Sequence, residues 1–278
     1  MINHEKYIRQ TFELALKGLG HTSPNPMVGA VLVRDDKILG IGFHQKYGSA
    51  KAEVNAILDA KAQGFELEGA TLYCNLEPST CVQQIIEEKI SKVVISNLDL
   101  GKNGAKNLCD HGIEVVTNIL EDEGLRLNEV YFKFAQTNIP FIHLNLASKN
   151  ESSYVHGLRQ KYDCVIVGRK TIEQNDPSLT NRSTEFSTLS QPLRIVVGKL
   201  QNLNLDWKIL NDQFRRNTMI ITTDEDVRNN SEIAHFLEQK AVALLAVKKN
   251  EDGGVDLNAM LKSLAGLKFT SILVEGGP

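Results

Sequence analysis

Residues 22–48, TSPNPMVGAVLVRDDKILGIGFHQKYG, decide the first half of the fold. MVGAVLV (27–33) and KILGIGF (37–43) are two apolar runs joined by the short polar turn Arg34-Asp35-Asp36. Two such runs around so short a turn predict a β-hairpin. Upstream, Ile8, Phe12, Ala15, Leu16 and Leu19 are spaced to form one apolar helical face, closed by Gly18 and Gly20. Downstream, helices and strands alternate. AEVNAILDAKAQG (52–64) leads to the strand ATLYCNL (70–76), VQQIIEEKI (82–90) to KVVISNL (92–98), and GAKNLCDHG (104–112) to IEVV (113–116). This alternation predicts a mixed sheet packed between helices.

One charged helix is expected over EDEGLRLNEVYFKFAQT (121–137), and NIPFIHLNLAS (138–148) then begins a second set of elements. Its further strands are CVIVG (164–168), LRIVVG (193–198), TMIITT (218–223), AVALLAV (241–247) and SILVEGG (271–277). Pro140 discourages helix continuation, so the boundary is placed there, with domains 1–139 and 140–278. No internal repeat is visible, which favours two different α/β domains. The Ser/Thr-rich stretch TNRSTEFSTLSQP (180–192) reads as a loop of the second.

Hydrophobic residues make up 42% of the 278 and charged residues 23%, the profile of a globular protein. A net charge of -3 makes no electrostatic case for nucleic acid or an acidic membrane surface. No apolar run approaches the ~20 residues needed to span a bilayer, and the charged N-terminus lacks a secretory apolar core. Cys74, Cys81, Cys109 and Cys164 show no disulfide-framework spacing. A cytoplasmic compartment is the expectation.

The chemistry-bearing stretches sit at helix starts. A zinc-dependent nucleobase deaminase carries His-x-Glu at one helix start and Pro-Cys…Cys at a second. The metal lowers the pKa of its bound water and the Glu moves the proton. Here the first stretch reads Lys51-Ala52-Glu53 and the second Leu76-Glu77-Pro78-Ser79-Thr80-Cys81. With the Ser23-Pro24-Asn25-Pro26…Val28-Gly29 signature, these stretches resemble the bifunctional deaminase–reductase family of riboflavin biosynthesis, over nearly the whole chain. The resemblance implies a cytidine-deaminase-like three-layer domain followed by a dihydrofolate-reductase-like α/β domain. The first would deaminate a phosphoribosylated diaminopyrimidine, with Asn25 contacting the ring and Glu53 shuttling protons.

The family's three zinc positions, a His and two Cys, fall on Lys51, Ser79 and, after a shortened loop, Cys81. Only Cys81 matches. A lysine must lose its proton to coordinate metal, which costs about 4.6 kcal/mol at pH 7, and serine is a poor ligand beside thiolate and imidazole. Zinc, expected for the family, is therefore expected to be absent or weakly held here, with His44 and Cys74 as conceivable substitute ligands. Plainer roles stand beside each residue. Thr80 and Gln83 have capping-box spacing, Glu53 suits a helix dipole in any case, Cys81 reads as an inert thiol, and Cys74 shares a strand face with Leu72 and Leu76 in the core. Asp99-Leu100-Gly101-Lys102-Asn103-Gly104 replaces a family loop that carries Asp-Pro-Asn-Pro.

In the second half, Leu158-Arg159 and Val167 through Arg182, with Val274-Glu275-Gly276-Gly277-Pro278, resemble the family's reductase domain. By resemblance Arg159 and Arg182 would clamp the substrate phosphate, a role suited to guanidinium geometry, while Leu179 and Glu275 would contact substrate. Ala147, Thr171, Asn175, Gly276 and Gly277 would contact NADPH. Without the family, the arginines read as solvated charges, Asp-Pro-Ser-Leu-Thr as a turn, and Gly-Gly as a common strand end. A family loop carrying a substrate-contacting Ser and Trp has no counterpart, since His143–Asn150 runs into ESSYVHGLRQ (151–160) and the only Trp is Trp207. The family also continues beyond Pro278. The second domain is thus expected to be incomplete, as a fragment or completed by another chain, with strand Ser271–Val274 left as an exposed apolar edge. A homo-oligomer is expected. Three functions stay open: a divergent enzyme with residual reductase chemistry, a non-catalytic member that binds a nucleotide-like ligand or a partner subunit, and a non-zinc chemistry using Cys81 or Lys51.

Overall fold

A computed structural model of the chain describes residues 3–145, 153–182 and 190–276. Contacts divide it into two compact units, Met1–Gln136 and Thr137–Pro278.

The first unit is a five-stranded sheet between helices. Helix α1 (His4–Leu16) precedes the hairpin β1 (Gly29–Arg34) and β2 (Lys37–Phe43); then come α2 (Ala52–Ala62), β3 (Thr71–Leu76), α3 (Val82–Glu87), β4 (Lys92–Asn97), α4 (Gly104–Asp110) and β5 (Glu114–Val116). The strand order is β2-β1-β3-β4-β5. β1 is antiparallel to β2 and β3, and the other pairs are parallel. Asp35 and Asp36 both take positive φ in the hairpin turn, as a two-residue turn that matches strand twist requires.

Period-two alternation splits the strand residues between two cores. Ala30, Leu32, Leu72, Cys74, Val93 and Ile95 face α2, α3 and α4, while Val31, Val33, Tyr73 and Val94 face Tyr7, Ile8 and Leu14 of α1. Three layers result, and Cys74 lies in the core as expected. Helix α2 rides directly on β2 because Gly40 and Gly42 carry no side chain; a Cβ at either would collide with its backbone.

The predicted charged helix is two, α5 (Glu121–Leu127) and α6 (Glu129–Thr137). Asn128 departs from helical geometry between them and turns its side chain to the distant Met27 backbone, accepting from its N–H and donating to its carbonyl, each at 2.9 Å.

The second unit is a six-stranded parallel sheet, β6 (Phe141–Asn145), β7 (Cys164–Gly168), β8 (Leu193–Val197), β9 (Thr218–Thr223), β10 (Ala243–Val247) and β11 (Ser271–Glu275). Its helices are α7 (Ser153–Lys161), α8 (Arg169–Asn175), α9 (Lys208–Asn211), α10 (Asp224–Asn229), α11 (Ser231–Gln239) and α12 (Leu257–Gly266). The order is β10-β9-β8-β7-β11-β6, which corrects the expectation of an exposed edge at Ser271–Val274. The last strand inserts between β6 and β7 and pairs with both, so Ile272 and Leu273 are buried. The apolar edge is β6, where Ile142 and Leu144 are exposed. Trp207 is buried beside α9, and much of the Ser/Thr-rich stretch lies outside the described residues. Among the described residues no helix is long and apolar enough to cross a membrane.

Candidate functional site

In the first unit the candidate residues converge at the starts of α2 and α3. Lys51 is the N-cap of α2 and Glu53 lies in its first turn. Cys81 is the N-cap of α3 and makes no side-chain capping bond. The capping box implied by Thr80 and Gln83 is not formed: Gln83 donates instead to Glu87, and Ser79 to the Glu77 carbonyl. The trimmed loop is tied down by the buried Glu77 carboxylate, which accepts from Asp99 N at 2.8 Å and Ala105 N at 2.6 Å. Gly104 thereby presses on the Ser79 backbone, with no room for a Cβ.

Glu53 and Cys81 are both buried, and the Cys81 thiol donates to Glu53 Oε2 at 3.6 Å. Burial pushes the Glu53 carboxyl above the ordinary range, opposed by its hydrogen bonds and by the charge of Lys51. Burial, and then the Glu53 charge, pushes the Cys81 thiol up to about 12. Cys74 is likewise held well above its usual value by burial. These are thiols that keep their protons, as an inert cysteine does.

His44 is buried and fully engaged. Its Nδ1 meets the Ala50 carbonyl at 3.0 Å, so Nδ1 carries the proton, and Nε2 accepts from the Asn25 amide at 3.0 Å. Burial lowers its pKa, so the neutral ring is the stable form. Asn25 is held in turn by its loop. Asn75 accepts from Gly29 N and donates to the Met27 carbonyl, while Asn128 grips the other side of Met27. Neither Asn75 nor Asn128 stands out in the sequence, since both bonds reach across many residues.

A zinc site needs at least three lone pairs from thiolate, imidazole or carboxylate. Here the one retained thiol is protonated and bonded to Glu53, the nearby imidazole gives its lone pair to Asn25, and Lys51 and Ser79 add no good donor. Among the described residues no three His, Cys, Asp or Glu side chains are grouped to hold a metal. The residues present do not fit zinc.

In the second unit the candidates gather at the carboxyl ends of β7 and β11, the end of a parallel sheet where ligands bind. Arg159 of α7 and Glu275 at the end of β11 form a bidentate ion pair, Nε to Oε1 at 2.8 Å and Nη2 to Oε2 at 2.7 Å. Arg159 Nη1 also donates to the Thr180 carbonyl at 3.0 Å. The Arg159 side chain is 2% exposed and that of Glu275 13%, so two residues read as substrate contacts largely neutralise each other. His156, one helical turn before Arg159, was not singled out in the sequence. Its Nδ1 accepts from Arg182 N at 3.2 Å, and burial, then the Arg159 charge, lowers its pKa. Its spacing of three from Arg159 on α7 was the available signal.

The Arg182 side chain is exposed and that of Leu179 buried, with Leu179 in the left-handed region at φ 52°. Among the described residues a Cβ added to Gly276 would meet Thr171 Oγ1 at 3.8 Å and nothing closer, and one on Gly168 would meet nothing within 4 Å. Thr171 thus lies beside the end of β11. Asn175 is exposed at the end of α8, and nothing ties it to the others. Ala147 and Gly277 lie outside the described residues. An open cavity of about 780 Å³ is lined by Arg228, His235, Glu238 and Leu244 among others, and none of its lining residues is a candidate.

Comparison with known proteins matches both units. The cytidine and deoxycytidylate deaminase zinc-binding region matches residues 1–97, and the RibD C-terminal domain matches 143–278. The riboflavin biosynthesis protein RibD of Aquifex aeolicus is 35% identical over 303 aligned positions, covering 99% of this chain and 81% of that protein. A solved deaminase/5-amino-6-(5-phosphoribosylamino)uracil reductase from Thermotoga maritima superposes with a TM-score of 0.83 at 29% identity, covering 99% of this chain and 81% of that one. Acinetobacter baumannii RibD gives 0.82 at 28% identity, over 98% and 80%. The chain belongs to the RibD family of riboflavin biosynthesis, with a deaminase domain followed by a reductase domain.

Proposed function

We infer that this chain serves riboflavin biosynthesis through its reductase domain, and that its deaminase domain has lost zinc-dependent hydrolysis. The observation that carries this is the hydrogen bond from Cys81 to Glu53, in which the one matching ligand and the one matching proton shuttle satisfy each other. In the second domain Arg159 and Glu275 remain assembled at the carboxyl ends of β7 and β11.

The substrate class is the phosphoribosylated aminouracil named for the Thermotoga maritima relative. NADPH, when bound, supplies the hydride. Thr171 and Gly276 would line the cofactor at the strand ends, where a backbone without side chain allows close approach to phosphate. Arg182 presents a guanidinium suited to the substrate phosphate. Glu275, oriented by Arg159, offers its remaining lone pairs to substrate hydroxyls. The Arg159–Glu275 pair also favours a second reading, a non-catalytic member that keeps the fold and binds ligand without turnover.

NADPH oxidation dependent on 5-amino-6-(5-phosphoribosylamino)uracil separates the two, and turnover supports the reductase. Binding of NADPH with no turnover sinks the reductase in favour of the second. Rescue of auxotrophs lacking only the reductase, but not of those lacking only the deaminase, is the matching result in cells.

A further inference from the structure

Strand β8 reads Leu193-Arg194-Ile195-Val196-Val197, with one charge in an apolar run. Period two sends Ile195 into the core with Met260 and Leu264 and turns Arg194 to the opposite face. β8 is an inner strand paired on both sides, and the Arg194 side chain is only 1% exposed. A charge buried this deeply needs a partner and filled hydrogen bonds. Arg194 pairs with Asp212 through Nη1 to Oδ2 at 2.6 Å and Nη2 to Oδ1 at 2.9 Å. Nη2 also donates to Thr218 Oγ1 at 2.7 Å and to the Ile209 carbonyl of α9 at 3.0 Å. Nη1 donates to the Ser178 carbonyl at 2.9 Å. Asp212 alone balances the charge, so the bond to Ser178 is a hold on a segment that belongs to neither β8 nor α9.

Leu179 follows, and its φ of 52° is an outlier for a bulky side chain that persists only where the surroundings enforce it. On its other side the Thr180 carbonyl accepts from Arg159 Nη1 at 3.0 Å. Both neighbours of Leu179 thus give their carbonyls to a buried arginine. Beyond them Asn181 exchanges two bonds of 2.9 Å with Gln191 and donates to Gln160, and Arg182 N donates to His156. We propose that Arg194 is a positioning residue of the reductase site. Together with Arg159 it locks the turn at Leu179, and so sets where the strip 178–182 presents Arg182 to the substrate phosphate. The proposal rests on the reductase reading above. Arg194 lies at the amino end of β8, away from the carboxyl strand ends where ligand binds, so it acts through the strip. A lysine there keeps the charge opposite Asp212 but lacks the planar fork that serves Asp212 and Ser178 together.

Arg194→Lys is the variant to test, and Arg194→Met with Asp212→Asn, which removes both charges together, replaces it if the lysine variant does not fold. In NADPH oxidation by the full chain, KM for the phosphoribosylated aminouracil should rise about tenfold while kcat and the KM for NADPH stay within about twofold, the mark of lost substrate binding. In an Arg182→Ala background the same substitution should change that KM by less than about twofold, because its effect runs through Arg182. An equal rise in both backgrounds, or an unchanged KM in the folded variant, would overturn the proposal. Hydrogen exchange supplies a readout that needs no turnover. The Asn181 and Arg182 amides should exchange at least about tenfold faster in the variant while those of β7 and β11 keep their rates. Unchanged rates at 181 and 182, or an equal acceleration in β7 and β11, would overturn it as well. A wild type without NADPH oxidation sinks the reductase reading alone, and the local exchange then decides whether Arg194 holds the strip.

Discussion

In the first domain Cys81 turns its proton toward Glu53 across 3.6 Å, at the starts of two neighbouring helices. In the second, Arg159 closes on Glu275 through two bonds of 2.8 and 2.7 Å and spends a third donor on Thr180. Both clusters are buried at the ends of strands, yet their electrostatics differ. Opposite charges with filled hydrogen bonds can be buried at modest net cost. In the first, burial holds a carboxyl and two thiols above their usual pKa values with no cation hydrogen-bonded to them among the described residues. The second site is preorganised in its own charges.

Substitutions in the two clusters test this contrast. The largest effect is expected from Arg159→Ala, which leaves Glu275 nearly buried without its partner and should cost about 3–5 kcal/mol in denaturant unfolding. Adding Glu275→Gln should recover part of that loss, because the uncompensated charge is gone. A loss under 1 kcal/mol would show that the pair does not organise the second site. Arg182→Ala should raise KM for the phosphorylated substrate about 10- to 100-fold while leaving the unfolding midpoint nearly unchanged.

The first domain should respond in the opposite sense. Glu53 holds its proton in the folded state above the ordinary carboxylate pKa of 4.5. The folded state therefore binds more protons than the unfolded one in that window, and stability falls as pH rises through it. Glu53→Gln should stabilise the protein at neutral pH and flatten that decline, read by thermal unfolding from acid to neutral pH. A destabilised Glu53→Gln would show instead that the carboxylate is needed structurally. The smallest effect is expected at Cys81. Its thiol moves from 9.0 to about 12, so its share of stability falls as pH rises from about 9. Cys81→Ala should shallow that alkaline loss, and in the wild type the exposed Cys109 should be alkylated long before Cys81.

Much of the fold was legible because burial follows period. The alternation of Ala30 and Leu32 against Val31 and Val33 announces a strand with two covered faces. What failed to show depends on long-range partners. The pattern over 121–137 continues through Asn128, and only Met27, 101 residues away, explains the break. The position of Ser271–Glu275 between β6 and β7 is a property of topology, which a linear reading meets last. Thr80 and Gln83 have capping-box spacing, but Cys81 takes the N-cap and the box never forms. At the sites, Lys51 and Ser79 stand out in the sequence by residue type alone. The pairing of Arg159 with Glu275, across 116 residues, does not.

Full-length protein produced with added zinc, dialysed and analysed for bound metal, should hold far less than one zinc per chain, and should release no ammonia from the diaminopyrimidine phosphate. One tightly held zinc per chain, with ammonia released, would show a working zinc deaminase instead.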